Sequence, residues 1–256
     1  MKISQVAAQL FTCRDLLKTP ADIAQCLKRV RAAGYEAVQV SGMGPIPEEE
    51  LNSILDGEGL TCCATHEPAL KILDETDVVI ERLKKLNCSL TAYPHPAGVD
   101  MTSLDDVKKL ISGLNTAGEK MAAAGITLTY HNHGMEFIKN EGITNLERIY
   151  RDTDPRFLQG EPDTYWIHYG GGENVAMCKQ LKDRLPMIHL KDYCFTQENQ
   201  PTFCEIGSGT LDFKSIIAAA EASGCKWFIV EQDVTPGDPV DSLAQSFDYI
   251  KQHLAN

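Results

Sequence analysis

The chain has 256 residues, 43% of them hydrophobic, and its 24 Lys and Arg stand against 36 Asp and Glu for a formal net charge of −12. That length allows one large core, and no apolar run approaches the roughly 18 residues of a membrane span. The acidic balance, without any Lys/Arg cluster, opposes nucleic-acid binding, although a cationic pocket for one phosphate group is compatible with it.

Along the chain, apolar runs of strand length alternate with amphipathic stretches of helix length, which is the α/β pattern. Met1 to Gln9 has one basic residue and is interrupted by glutamines, so it reads as a first strand rather than a signal peptide. Strands are predicted at Gln5 to Leu10, Ala37 to Val40, Thr61 to Ala64, Ser89 to Ala92, Ile126 to Tyr130, Phe157 to Gly160, Met187 to Leu190 and Trp227 to Val230. Helices are predicted at Pro20 to Ala33, Pro47 to Leu55, Leu70 to Lys85, Leu104 to Ala124, Ile143 to Arg151, Val175 to Leu185, Phe213 to Ala222 and Pro239 to His253.

Ala33-Gly34, Glu58-Gly59, Ala124-Gly125 and Ser223-Gly224 repeat one event, a helix stopped by glycine before the next strand. Spread from end to end, they favour a single closed (β/α)8 TIM barrel over residues 1–256. An open dinucleotide-binding sheet would place GxGxxG after the first strand, where this chain reads Phe11-Thr12-Cys13-Arg14. Nine cysteines, an odd number without CxxC spacing, read as mostly free thiols in a reducing compartment, so the expected location is cytoplasmic.

In such a barrel, side chains at the C-terminal ends of strands carry the chemistry. Glu136, Asp163, His189 and Glu231 each fall at or just after a separate predicted strand, and three carboxylates with one imidazole suit a hard divalent ion. Asp163 also reads as a turn or N-cap residue, His189 as a core histidine, and Glu161 as an alternative ligand. Glu231 follows four apolar residues, where a carboxylate needs a partner. The strand-five ligand is open among Glu136, which is favoured, His131 and His133. His66, His95, His131, His133, Trp166 and Lys191 are candidate substrate contacts, with Phe11 a further apolar wall.

At these residues the sequence resembles the sugar phosphate isomerase/epimerase superfamily, the xylose isomerase-like TIM barrels, in the branch with a Tyr-His-Asn-His element. The resemblance rests on Tyr130-His131-Asn132-His133, Glu136-Phe137, His189-Leu-Lys-Asp192, Ile206-Gly-Ser-Gly209 and Val230-Glu231-Gln-Asp233. It departs from relatives at Trp166, where numerous epimerases place histidine, and at Gln39, often acidic. The resemblance implies Mn²⁺, Co²⁺, Mg²⁺ or Zn²⁺ held by Glu, Asp, His and Glu, with Mn²⁺ the first expectation, and a homodimer.

The expected activity is isomerisation or epimerisation of a sugar beside its carbonyl, through an enediolate. Glu231 and Glu136 would exchange protons on opposite faces. Dehydration of a keto-polyol is the alternative, followed by a non-catalytic sugar-binding barrel. The expected partner is a small sugar or keto-sugar, with neither nucleic acid nor membrane.

Overall fold

The computed structural model describes residues 1–256. Eight strands form one sheet: β1 (Val6–Gln9), β2 (Ala37–Val40), β3 (Thr61–His66), β4 (Leu90–Tyr93), β5 (Thr127–His131), β6 (Leu158–Glu161), β7 (Met187–Leu190) and β8 (Trp227–Val230). The order is β6-β5-β4-β3-β2-β1-β8-β7, and every hydrogen-bonded pair is parallel. The circle closes just past β6, where Asp163 and His189 form a parallel bridge and the His189 amide donates to the Pro162 carbonyl at 3.0 Å. The fold is the expected (β/α)8 barrel, and its closing seam lies on two of the expected ligands.

Ten helices cover the sheet: α1 (Pro20–Ala32), α2 (Glu48–Glu58), α3 (Ala69–Asp74), α4 (Thr76–Lys85), α5 (Leu104–Ala123), α6 (Asn145–Asp152), α7 (Thr164–Tyr169), α8 (Asn174–Gln180), α9 (Phe213–Ala222) and α10 (Pro239–His253). Their ends follow local chemistry. Thr19 caps α1 with Pro20 in its first turn, and Gly59 ends α2 at φ +66°, a left-handed conformation that favours glycine. None of the helices is long and apolar enough to cross a membrane.

The interior is layered by strand parity. Ala7, Ala37, Ala64, Ala92, Met187 and Ile229 belong to a small apolar cluster. Two residues further along their strands, on the same face, come Gln9, Gln39, His66, His189 and Glu231. Small apolar side chains therefore plug the barrel and a polar layer sits above them, while the larger core fills the space beneath the helices.

Three local features differ from the sequence reading. The helix expected over Leu70 to Lys85 breaks at Glu75, and Thr76 turns its hydroxyl back to the Ile72 carbonyl at 2.8 Å. Ile143–Thr144 pairs with Lys139–Asn140 in a short hairpin before Thr144 caps α6. A second hairpin joins Asp192–Phe195 to Pro201–Cys204. The Asp192 carboxylate stands at its root, accepting from the amides of Tyr193 (2.8 Å), Gly207 (2.9 Å), Gly209 (3.0 Å) and Leu211 (3.3 Å). All nine cysteines are free, and only Cys194 and Cys204, both in that hairpin, are not buried.

Candidate metal centre

At the carboxyl end of the barrel, His131 from β5, Asp163 after β6, His189 from β7 and Glu231 after β8 bring one donor atom each to within 4.8 Å of one another, all buried. His131 Nε2 lies 3.3 Å from Asp163 Oδ2, and His189 Nδ1 lies 2.9 Å from Glu231 Oε2 and 3.7 Å from Asp163 Oδ2. Asp163 does two jobs that its sequence context presented as alternatives. Its Oδ1 accepts from the Trp166 amide at 3.1 Å, starting α7, while Oδ2 enters the cluster.

Glu136 does not join this cluster, and His131 stands there in its place. After Gly134 the chain enters a single 3₁₀ turn, Met135–Phe137, and the Glu136 carboxylate is engaged by Tyr130 and His133 rather than by the cluster. It accepts from Tyr130 Oη at 3.0 Å and from the His133 amide at 2.9 Å. Burial raises its pKa above the usual carboxylate value. The residue expected to supply a ligand and a base instead braces the turn after β5.

The surroundings of the two imidazoles fit a cation. His131 Nδ1 lies 3.2 Å from the Pro94 carbonyl, which can only accept, so with an ion bound the ring would keep its proton on Nδ1 and ligate through Nε2 beside Asp163. His189 Nε2 lies 2.7 Å from Gln39 Oε1 and 3.1 Å from Glu161 Oε1; burial opposes its charge, but Glu161 and Glu231 hold the ring protonated, its pKa well above the usual value, and a bound ion would replace the Nδ1 proton between it and Glu231. Four donor atoms, one from each residue, would then converge on one ion, with hydrogen bonds to Pro94, Gln39 and Glu161 orienting the two rings. The donor set, two imidazoles and two carboxylates, suits Mn²⁺, Co²⁺ or Zn²⁺ chemistry.

Gln39 and Glu161 belong to a network the sequence did not announce. Gln9 Nε2 donates to Gln39 Oε1 (2.7 Å), Gln39 Nε2 donates to Glu161 Oε1 (2.6 Å), and His66 Nε2 meets Glu161 Oε2 at 2.7 Å. Burial would raise the Glu161 carboxyl, but His189 and His66 hold it well below its usual range. Equal inward parity of Glu161 and Asp163 was the available signal for this second carboxylate.

Lys191 completes the electrostatics. Its ammonium, 1% exposed, lies 2.7 Å from Glu231, 3.0 Å from Asp163 and 3.1 Å from Asp233. Burial opposes ionisation of Asp163 and Glu231, yet Lys191 and the histidines keep both pKa values well below normal. Burial depresses His66 and His95, and takes His133 down to about 2, so three neutral imidazoles surround the charged cluster.

A cavity of about 1030 Å³ opens over this centre, and its lining includes His66, His95, His131, His133, Lys191 and Glu231, together with Phe11. Trp166, a sequence candidate for substrate contact, is not part of that lining. Its ring packs 5.4 Å from His133, and Nε1 is buried without a protein partner, as is His133 Nδ1.

A family model for the xylose isomerase-like TIM barrel matches residues 27–253. The inosose dehydratase of Lactiplantibacillus plantarum is 26% identical over 91% of this chain and 89% of its own, and that of Geobacillus thermodenitrificans is 24% identical over 89% and 88%. A solved sugar phosphate isomerase/epimerase from Parabacteroides distasonis has a TM-score of 0.82 at 20% identity, covering 98% of this chain and 97% of that one. The last comparison supports the fold alone.

Proposed function

The chain belongs to the xylose isomerase-like TIM-barrel family, and from that premise we propose that it is a divalent-metal-dependent lyase that removes water from a cyclic keto-polyol of the inosose type. The observation that carries this reading over epimerisation is the position of Glu136, and the dehydratase relatives carry it over isomerisation. Transfer of a proton between the two faces of one carbon calls for two opposed bases. Glu136, the expected second base, is held by Tyr130 outside the cavity lining. Glu231, Asp233 and Lys191 form one acid–base face in the lining, and elimination needs only one. The full-length similarity to two inosose dehydratases supports the same chemistry.

Held by His131, Asp163, His189 and Glu231, the ion would polarise the substrate carbonyl and acidify the adjacent C–H bond. Asp233, in the cavity lining, accepts that carbon-bound proton at its carboxylate. Lys191 Nζ, within 3.1 Å of Asp233, donates a proton to the departing hydroxyl, so that the C–O bond breaks and water leaves. Asp233 then returns its proton to Lys191, and both residues regain their starting states. His133 Nδ1, buried without a protein partner, is placed to bond a ring hydroxyl, with His95 beside it at a ring distance of 5.0 Å.

The test is mass spectrometry of inososes and keto-sugars incubated with the Mn²⁺-loaded protein. The expected product is lighter by one water, and Asp233→Asn should lower its rate by about 10²–10⁴-fold while metal content is retained. A product of unchanged mass would restore isomerisation or epimerisation, and no product from any carbonyl polyol would leave a sugar-binding barrel.

A further inference from the structure

The cavity above the cluster is larger than a bare cyclic polyol. Its volume of about 1030 Å³ lies at the top of the roughly 300–1,000 Å³ typical of clefts for drug-sized ligands. From the inner, histidine-lined end it extends along the loop after β2 and along α3 and α4, where Met43, Pro45, Ile46, Pro68 and Val78 contribute to the wall. Val78 is 55% exposed there, an apolar side chain that the fold leaves open to a ligand.

The walls of this outer cleft are held in place by the fold. The Gly44 amide donates to the Leu17 carbonyl at 2.6 Å, and a Cβ on Gly44 would lie 2.1 Å from the Lys18 carbonyl oxygen. Gly42, at φ +66°, would bring a Cβ to 2.8 Å from the Phe11 ring. The loop therefore lies flat against the segment following β1. On the other side, Arg82 of α4 donates to Glu67 at 3.1 Å and to Glu48 at 2.6 Å, tying α4 to the end of β3 and the start of α2.

Charge narrows the occupant. The lining holds the carboxylates of Glu48, Glu67, Asp77, Glu81, Glu231 and Asp233 against the cations Lys71, Arg82, Lys85 and Lys191. Arg82 is engaged by two carboxylates and Lys191 by three. A phosphate would enter a wall of net negative charge, whereas an uncharged ring would lie against Met43, Ile46 and Val78.

We propose that the outer cleft is a subsite for an uncharged ring carried by the substrate, a glycosyl or aryl group attached to the keto-polyol; this rests on the keto-polyol reading above. The substrate is then an extended, non-phosphorylated compound, its polyol end over the metal cluster and its ring between the β2 loop and α4.

Calorimetric titration of the Mn²⁺-loaded protein with an inosose, its O-glucosyl and O-phenyl derivatives and its monophosphate tests this. At least one ring-bearing derivative should bind about tenfold more tightly than the inosose, the gain expected from burying on the order of 60 Å² of apolar surface. The glucosyl and phenyl arms identify which ring is taken, and the monophosphate should bind more weakly than the inosose. Val78→Trp, which fills the cleft from an exposed helix position, should abolish the gain. Ring-bearing derivatives that bind no tighter, a gain that survives Val78→Trp, or a monophosphate that binds tightest would overturn the subsite. Binding and turnover are read separately: dehydration of the inosose without any ring gain sinks the subsite and leaves the lyase, a ring gain without dehydration does the reverse, and no binding by any compound overturns both.

Discussion

Removal of the Lys191 charge should destabilise the metal-free protein strongly and the metal-loaded protein much less. In Lys191→Met the long stem is conserved in volume, but the Asp163, Glu231 and Asp233 carboxylates, now 2.7 to 3.1 Å from Nζ, lose their common counter-ion. Breaking a buried ion pair by deleting one partner costs about 3–5 kcal/mol. At about 2–4 °C per kcal/mol for a chain of this size, that becomes a fall in Tm of about 6–20 °C. A divalent ion at the neighbouring donors neutralises two of these carboxylates, Asp163 and Glu231, so saturating Mn²⁺ should recover most of the loss. Thermal unfolding of both proteins, with and without Mn²⁺, reads the effect. An unchanged Tm without metal would refute the reasoning, as would an equal loss with and without it.

Glu136→Gln should keep its metal and change stability in a pH-dependent way. Burial raises the Glu136 carboxyl, so between the ordinary glutamate pKa near 4.3 and its higher folded value the unfolded chain has released a proton that the folded chain retains. Parental stability, measured against the non-titrating variant by urea unfolding, should therefore fall as pH rises through that window; a flat difference contradicts the burial argument. Asp192→Ala would leave the amides of Tyr193, Gly207, Gly209 and Leu211 without their acceptor, at about 1–3 kcal/mol for each that stays buried. Its urea midpoint should drop sharply, and hydrogen exchange should quicken first in residues 205–211. Thiol titration should count nine groups in denaturant and no more than the two at Cys194 and Cys204 reacting promptly in the native protein.

Most of the barrel was legible because its signals are local. Apolar strand runs, helix caps such as Thr19 and glycine stops such as Gly59 appear in the residues themselves, and each predicted strand overlaps an observed one. The clustering of strand-end residues was legible for the same reason: His189 and Glu231 interrupt apolar runs, and Asp163 is a carboxylate just past the end of its strand. Strand five was harder because its polar residues continue past the strand. Parity from Thr127 and Thr129 points His131 inward, yet the turn that carries Glu136 back to Tyr130 depends on a tertiary contact with no sequence period. The Gln9–Gln39–Glu161 network was hidden likewise, since an amide inside an apolar strand gains its meaning only from the partner across the barrel. The expectation of epimerisation drew its second base from Glu136 and weakens with it.

The most direct test of the account is metal content after dialysis, measured by elemental analysis on the parent, His131→Ala and Glu136→Gln after loading with Mn²⁺. One ion per chain in the parent and in Glu136→Gln, with loss in His131→Ala, is the result the geometry requires. Retention in His131→Ala with loss in Glu136→Gln would contradict it and return the fourth ligand to Glu136.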